Sequence, residues 1–189
     1  ALDEFNISAC TITLSQDTYT YDGSEKKPTV TVEYGDVILT EGTHYTVTYS
    51  NNTNAGTTTV KPTVTVTGTG EYTSKGKYSG NKTANFTISK ATGAGSVTME
   101  GWTYGGTAKN PTPTSSTNGT SNVTYKYKVS TAADSTYSST KPSDAGTYTV
   151  KATFAATTNY NAVTATANFT IAKATGSGSV TMEGWTYGG

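Results

Sequence analysis

The 189-residue chain contains one cysteine, Cys10, and no arginine. A single cysteine excludes an intrachain disulfide framework, so each folded part must be stabilised by its sheets alone. Lysine supplies all 13 positive charges, and 13 carboxylates bring the formal net charge to zero. A nucleic-acid-binding protein needs a basic face and commonly uses arginine for bidentate contacts. We therefore expect no nucleic-acid partner.

Long hydrophobic runs are also missing. No stretch of 18 apolar residues occurs, so we expect no membrane insertion by this segment. The first residues, Ala1 to Phe5, do not read as a signal peptide, which suggests a mature piece of a longer protein. Chains of this kind with almost no cysteine are common among surface proteins of Gram-positive bacteria. We expect an extracellular or cell-surface location.

Threonine and tyrosine dominate what is present. The chain has 44 threonines, and tyrosine makes up 14 of the 20 aromatic residues. Threonine is β-branched, and tyrosine combines a large packing ring with a polar end, so both suit pleated sheets. The composition favours an all-β protein.

A repeat organises the chain. Residues 91–106 read ATGAGSVTMEGWTYGG and recur at 174–189 with one difference, Ala94 against Ser177. The segment from Thr83 to Ile88 also recurs 83 residues later. These matches predict a first module at 1–90, a second at 91–173 and the incomplete start of a third repeat at 174–189.

The two full modules can be matched at other positions. Tyr21-Asp22-Gly23 corresponds to Tyr104-Gly105-Gly106, and Asn54-Ala55-Gly56 corresponds to Asp144-Ala145-Gly146. We match Thr59-Val60 of the first module to Thr149-Val150 of the second. Loops between the matched positions differ in length, because loops tolerate insertions better than strands.

Period-two alternation of apolar residues with threonine predicts the strands. No amphipathic helix longer than a couple of turns is expected, and Ser130–Ser139 is more typical of a loop than of a helical turn. Short strands separated by turns indicate a sandwich or barrel. The predicted strands are 10–14, 29–32, 44–49, 63–67 and 84–88 in the first module, and 97–99, 123–129, 147–154 and 164–171 in the second.

The stretch from Asp144 to Val150 resembles the D-x-G-x-Y-x-C signature of immunoglobulin domains. In that family the tyrosine hydroxyl bonds back to the corner before the strand. The resemblance implies this corner role for Tyr148 and places Val150 where the cysteine would be. The first module departs from the signature, because Thr58 stands where the tyrosine is expected.

Nearly the whole chain also resembles the bacterial surface repeats called MBG or YDG-type domains. The carriers are Tyr21-Asp22-Gly23, Tyr104-Gly105-Gly106, the Asn/Asp-Ala-Gly turns, and the closing Phe-Thr-Ile segments at Phe86 and Phe169. The resemblance implies tandem immunoglobulin-like β-sandwich modules on the cell surface, with no catalytic or ligand residues assigned. Mucin-binding repeats with a β-grasp fold are an alternative relative that the lack of a helix disfavours.

Candidate chemistry is sparse. Cys10 and His44 would need to meet to form a nucleophile and base, but both lie in plain alternating strands. The acids Asp17, Asp22 and Glu25 lack the spacing of a calcium loop. We expect no enzyme activity, no cofactor and no metal. An isopeptide crosslink between Lys26, Lys27 or Lys109 and Asn85 or Asn168 is conceivable, although no spacing singles it out.

Aromatic residues near turns are the best candidates for ligand contacts, because rigid amphipathic rings stack on sugars and anchor protein partners. Alternation nevertheless places many rings in the core. The candidate ligand-contact residues are Tyr19, Tyr21, Trp102 and Tyr104, with Tyr125 and Tyr127 as further rings of this kind.

The expected function is a non-catalytic repeat module of a bacterial surface or secreted protein, acting as a structural spacer or stalk beside neighbouring repeats. The alternative is an adhesive module that binds host glycan, mucin or matrix protein. Exposed tyrosines would favour adhesion, and buried ones would favour the spacer. We further expect residues 174–189 to pair as an added strand with another chain or to fold back on the second module.

Overall fold

The computed structural model describes residues 3–73 and 76–188, and this part of the chain is nearly all β. The predicted fold class is therefore confirmed at the level of an all-β protein. Two short 3-10 helices, Ile7–Ala9 and Asp134–Thr136, are the helical segments of the described residues, and neither could cross a membrane. The strands are β1 (Glu4–Asn6), β2 (Thr11–Leu14), β3 (Thr18–Thr20), β4 (Val30–Tyr34), β5 (Val37–Ile38), β6 (Tyr45–Ser50), β7 (Thr63–Gly68), β8 (Tyr72–Thr73), β9 (Gly76–Ser79), β10 (Asn81–Asn85), β11 (Thr87–Ser89), β12 (Ser96–Thr98), β13 (Trp102–Thr103), β14 (Thr112–Thr114), β15 (Val123–Val129), β16 (Gly146–Phe154) and β17 (Val163–Ala172).

Contacts divide the described chain into two compact units. Unit 1 contains the described residues up to Gly93 together with Ala155–Ala162. Unit 2 contains Ala94–Phe154 and the described residues from Val163 onward. The segment Ala155–Ala162, which joins β16 to β17 along the chain, thus makes its contacts in unit 1. The module boundaries at Lys90 and Lys173 remain predictions from the repeat.

Unit 1 is built from four small sheets, in the strand orders β1-β9-β8, β10-β7-β6, β11-β3 and β2-β4-β5. The alternating sequence explains its core, because every second residue of a strand points to the same face. Val64 and Val66 of β7 are fully buried, while Thr67 is exposed. The buried residues of this core are Ile7, Cys10, Val30, Val32, Leu39, Tyr45, Val64, Val66, Tyr78, Phe86 and Ile88.

Unit 2 has a four-stranded sheet, in the order β13-β17-β16-β15, and a small sheet of β12 and β14. Nine residues of β16 pair antiparallel with β17, from Gly146 with Ile171 to Phe154 with Val163. The buried residues of its core are Val97, Met99, Tyr127, Val150, Ala152, Phe154, Phe169 and Ile171.

The same pairs recur in both units. Asn85 lies opposite Thr63 in unit 1, and Asn168 lies opposite Thr149 in unit 2. In each pair the threonine hydroxyl donates to the asparagine carboxamide oxygen, at 3.0 Å and 2.7 Å respectively. The sequence repeat is therefore also a repeat of strand register.

This register corrects one match made from the sequence. Val64 and Val150 occupy equivalent positions, since they lie opposite Ala84 and Ala167. Val60, the residue that the sequence match aligns with Val150, is 51% exposed, whereas Val150 is fully buried. The first unit carries four extra residues between Gly56 and β7. They form a turn in which the Thr57 N–H donates to the Val60 carbonyl, at 2.8 Å.

The predicted strand at 84–88 was also wrong in detail. The chain changes partner at Phe86: β10 pairs antiparallel with β7, and β11 pairs parallel with β3. In unit 2 the matching residues form the single long strand β17, which pairs with β16 and, near its end, with β13. Alternation alone does not report such a change of sheet, because the buried residues keep their spacing.

Candidate functional site

The four candidate ligand-contact aromatics occupy two equivalent positions of the repeat. Tyr19 lies beside Ile88 in a parallel pair, and Trp102 lies beside Ile171 in the same way. Two residues further along, the Tyr21 N–H donates to the Ser89 carbonyl at 2.9 Å, and the Tyr104 N–H donates to the Ala172 carbonyl at 2.8 Å. Each aromatic residue is therefore positioned by a short parallel strand pair, β3 with β11 in unit 1 and β13 with β17 in unit 2.

The first position packs inward. Tyr19 contacts Phe86 edge to face, with ring centroids 5.7 Å apart, and Trp102 stacks on Phe169 at 5.5 Å. Phe86 and Phe169 are 5% and 4% exposed, so Tyr19 and Trp102 each pack against a buried phenylalanine ring. Tyr19 and Trp102 thus pack one ring face or edge against the core.

The second position differs between the units. Tyr21 is half-buried and packs edge to face against Tyr160, at 5.5 Å between ring centroids. Tyr104 has no such neighbour among the described ring contacts and is 52% exposed. Of the four candidates, Tyr104 presents the most ring surface to a ligand.

A groove of about 420 Å³ lies beside Trp102 and Tyr104. The Lys141 ammonium stands at this groove, but it donates to the Lys109 carbonyl at 2.9 Å and to the Asn110 carboxamide oxygen at 2.5 Å. The remaining lining residues are Gly105, Gly106, Ala108, Pro142 and Ser143.

The chemistry of this groove is that of a shallow contact surface. An exposed tyrosine ring beside apolar and small polar groups can stack on a sugar ring or receive a protein side chain. No catalytic pair of carboxylates is found among its described lining residues, and Lys141 is already engaged by hydrogen bonds to Lys109 and Asn110.

A second recess, of about 470 Å³, also adjoins Tyr104. Its lining residues are Tyr104, Asp144, Ala145, Lys173, Ala174, Thr175 and Gly176. Both openings are lined by Tyr104, which is 52% exposed.

The residues with expected structural roles lie in the core around the corner before β16. The Tyr148 hydroxyl donates to the Asp144 carbonyl at 3.0 Å, which is the bond that the immunoglobulin resemblance implies. The Tyr148 ring stacks on Phe169 at 5.7 Å. Val150 is fully buried between its partners Tyr127 and Ala167.

The first unit has no tyrosine at this corner. At the position of Tyr148, unit 1 has Pro62, whose carbonyl accepts from the Phe86 N–H at 3.0 Å. Phe86 is buried at the position that Phe169 occupies in unit 2. The two units therefore keep the buried phenylalanine, and they differ because Pro62 offers no hydroxyl for the corner bond that Tyr148 makes to Asp144 in unit 2.

The further rings Tyr125 and Tyr127 pack in the core of unit 2. Burial raises the pKa of both phenols, since a buried phenolate loses its hydration. These two tyrosines are therefore not part of an exposed aromatic cluster.

Cys10 and His44 are not hydrogen-bonded to each other in the described part of unit 1. His44 Nδ1 accepts from the Thr40 N–H at 2.8 Å, and its ring packs against Tyr78. Cys10 is 1% exposed, and burial raises the pKa of its thiol. An inaccessible, protonated thiol is a poor nucleophile.

The acids near the first YDG turn have local partners. Asp22 forms an ion pair with Lys26 at 2.5 Å and accepts from the Ser24 N–H, and the Lys26 hydrogen bond lowers the pKa of this carboxyl. Glu25 pairs with Lys27 at 2.6 Å. The described residues include no cluster of three metal-binding side chains.

The asparagines that could enter an isopeptide crosslink are also engaged. Asn85 accepts from Thr63, and Asn168 accepts from Thr149. No lysine ammonium is seen to donate to either carboxamide in the part of the chain that the structure describes.

Sequence reasoning missed two residues that the structure places at a contact site. Asn159 and Tyr160, between β16 and β17, lie against Asn54, Ala55 and Tyr21 within unit 1. The signal available in the sequence was an aromatic residue between two asparagines in a loop that otherwise holds only alanine and threonine.

No family model, no curated protein and no solved structure matches this chain.

Proposed function

We propose that this chain is a non-catalytic segment of a repeat array in a bacterial cell-surface or secreted protein, where its modules act as structural spacers. One observation carries the proposal: two stretches of sequence, 83 residues apart, build the same strand pairs and the same Thr-Asn hydrogen bonds. Repetition of a small β unit is typical of stalks and spacers.

The immunoglobulin-like architecture is part of this proposal. It is supported by the Tyr148 hydrogen bond to Asp144, by the buried Val150 and by the resemblance to MBG or YDG-type repeats. These features favour an antiparallel sandwich in which the corner tyrosine ties one strand to the turn before it.

The segment from Ala174 supports a continuing array. Val180, Met182 and Trp185 are 93%, 78% and 77% exposed. At the matching positions of unit 2, Val97 and Met99 are buried, and Trp102 packs against the core. Burial of Val180, Met182 and Trp185 would remove apolar surface from contact with water, which is favourable. We therefore expect this segment to pair with further strands, in a following repeat or in another chain.

Adhesion is the second candidate function. The supporting observation is the exposed Tyr104 beside the groove of about 420 Å³. Under this alternative, Tyr104 and Trp102 would stack on a host glycan or anchor a mucin or matrix protein.

A binding screen of the chain against glycans, mucins and matrix proteins tests the two candidates. The spacer predicts no saturable binding. A saturable ligand whose binding is lost in Tyr104→Ala and kept in Thr103→Ala would overturn the spacer and establish adhesion. The Thr103 variant is the matched control, since Thr103 is the exposed residue next to Tyr104, at the end of β13.

A further inference from the structure

One surface of unit 1 is covered by a loop that comes from late in the sequence. The segment is Thr157–Asn161, and it lies against Tyr21, the Asn54-Ala55 turn and the Lys90-Ala91 pair. Because Asn159 is 104 positions from Ala55, this is a long-range contact that local sequence does not reveal.

Asn159 is the centre of the contact. Its side-chain oxygen accepts from the Ala55 N–H at 2.9 Å, and its side-chain nitrogen donates to the Asn54 carboxamide oxygen at 2.9 Å. Its main-chain carbonyl accepts from the Ala91 N–H at 2.8 Å. One residue thus satisfies two main-chain donors and one side-chain acceptor of unit 1.

The flanking residues extend the same contact. The Asn161 N–H donates to the Ala91 carbonyl at 2.9 Å, so Ala91 is bonded on both its N–H and its carbonyl. The Lys90 ammonium donates to the Thr157 carbonyl at 2.6 Å. Tyr160 covers the ring of Tyr21. The result is a short strand-like attachment with one aromatic anchor.

Unit 2 carries the same set of groups at the matching positions. Tyr104, Ala145, Lys173 and Ala174 repeat Tyr21, Ala55, Lys90 and Ala91, and Asp144 replaces Asn54. They line the recess of about 470 Å³ beside Tyr104. Asp144 keeps an acceptor oxygen where Asn54 offers one, so the role of the side chain is preserved.

The matching groups of unit 2 lack these bonds. Among the hydrogen bonds of the described residues, none uses the N–H of Ala145, the N–H or carbonyl of Ala174, or the Lys173 ammonium. Each matching residue of unit 2 is also more exposed: Ala55 is 6% exposed and Ala145 is half-buried, and Ala91 is half-buried and Ala174 is exposed. Tyr21 is half-buried, whereas Tyr104 is 52% exposed.

We propose that the recess beside Tyr104 is a docking site for an Asn-Tyr-Asn loop of a following repeat, equivalent to the segment Thr157–Asn161. The occupant is identified by what fills the matching site of unit 1. Its asparagine would bond to Ala145, Asp144 and Ala174, and its tyrosine would cover Tyr104. The array then links each repeat to the next by a loop as well as by the chain.

This inference rests on the repeat array of the proposed function but not on its spacer role, because docking between repeats is compatible with either a spacer or an adhesin. It also assigns the exposed surface of Tyr104 to a protein segment of known chemistry. A host ligand is not needed to explain that exposure.

The test extends the chain by a second copy of residues 107–173 placed after Gly189, which completes a third repeat. Hydrogen exchange at the amides of Ala145 and Ala174 is then compared between the original and the extended chain. We expect exchange to slow by about tenfold or more in the extended chain, because two N–H donors that make no hydrogen bond among the described residues gain partners.

Matched controls separate docking from a general effect. In the extended chain, alanine at the appended asparagine that corresponds to Asn159 should restore fast exchange at Ala145 and Ala174. In the original chain, Asn159→Ala should speed exchange at Ala55 and Ala91, which shows that the measurement detects this contact. Thr158→Ala, a change in a neighbouring residue of the same loop, should affect neither pair of amides.

Unchanged exchange at Ala145 and Ala174 beside a folded third repeat would refute the proposal. Should the third repeat not fold, the original chain is titrated with a synthetic peptide of the sequence of residues 155–162. Chemical-shift changes at Ala145 and Ala174 that disappear in Tyr104→Ala support the site, and their absence at millimolar peptide refutes it. The binding screen for the spacer function has a separate readout, so the two proposals fail independently.

Discussion

At the residue scale, individual polar side chains of this threonine-rich chain link its strands to neighbouring structure. Tyr148 and Asn168 each take part in a hydrogen bond that ties a strand to its neighbouring structure. Such bonds contribute modest free energy individually, but they disfavour alternative registers in sheets that are polar on one face.

The corner bond of Tyr148 can be measured directly. We expect Tyr148→Phe to lower the free energy of unfolding of unit 2 by about 1 kcal/mol, because the Asp144 carbonyl loses its donor while ring packing remains. Urea unfolding followed by tryptophan fluorescence reports unit 2, where both tryptophans lie. Tyr104→Phe, an exposed change, is the control, and equal midpoints for both variants would contradict the role of the corner.

We expect Tyr127 to make the free energy of unfolding of unit 2 depend on pH in the alkaline range. It is 6% exposed, and burial raises the pKa of its phenol above that of an unfolded chain. As the pH rises, the unfolded state therefore loses this proton first, from about pH 10. The contribution of Tyr127 to the free energy of unfolding is fully present below that pH, and it is lost as the pH rises toward the pKa of the folded state.

We expect Tyr127→Phe to reduce the loss of unfolding free energy above pH 10, by at most about 1.4 kcal/mol per pH unit. Near pH 7 the pH dependence of wild type and variant should be the same, since both states keep the phenol protonated there. Urea unfolding at a series of pH values gives the two profiles. Parallel profiles above pH 10 would show that Tyr127 does not carry this dependence.

At the element scale, the two units share the same strand pairing, although unit 1 has four extra residues before β7. In unit 2 the chain enters β16 at Gly146 and pairs at once with Ile171. In unit 1 the Gly56 N–H bonds to the Ile88 carbonyl, and the Thr57–Val60 turn follows before β7 begins. The turn closes on itself through the Thr57 hydroxyl, which accepts from the Val60 N–H at 2.9 Å.

Removal of residues 57–60 should therefore be tolerated. We expect the free energy of unfolding of unit 1 to change by less than about 1 kcal/mol, because the turn is exposed and self-contained and its ends already lie close together. Denaturant unfolding with Cys10 labelling measures unit 1. Deleting residues 63–66 of β7 is the contrasting control, which should unfold the unit by removing buried Val64 and Val66. A deletion of 57–60 as damaging as this control would show that the turn is structural.

At the scale of the whole molecule, sequence order and folded units do not coincide. Residues 155–162 lie within the second predicted module, but their contacts belong to unit 1. We therefore expect the stability of unit 1 to depend on residues beyond Gly93, among them Asn159 with its two side-chain hydrogen bonds.

The single thiol makes this dependence measurable. Cys10 is buried in unit 1, so a thiol reagent reaches it only when the unit opens. We expect Asn159→Ala to speed labelling of Cys10 by about tenfold or more, since two side-chain hydrogen bonds of about 1 kcal/mol each are lost. Thr158→Ala should leave the rate near that of the wild type. Equal labelling rates for all three proteins would show that the segment does not stabilise unit 1.

Much of the architecture could be predicted from local pattern. Alternation of apolar residues with threonine located β2, β4, β6, β7, β15, β16 and β17, because a strand with one buried face needs that period wherever it occurs. It missed several two-residue and three-residue strands, such as β13 at Trp102–Thr103, since so short a stretch has no period to detect. The 83-residue offset of the repeat is enough to match Tyr19 with Trp102 and Tyr21 with Tyr104.

Only the tertiary structure decided how these positions are used. Tyr21 and Tyr104 are equivalent in sequence, but one is covered by Tyr160 and the other is 52% exposed. The difference depends on a segment far away in the chain, and local pattern carries no information about which distant loop arrives. The sequence by itself determined an all-β chain with an 83-residue repeat, because side-chain alternation and repetition are local properties. The partner of each strand and the occupant of each surface were decided by folding, because they depend on long-range contacts that many sequences with the same alternation would make differently.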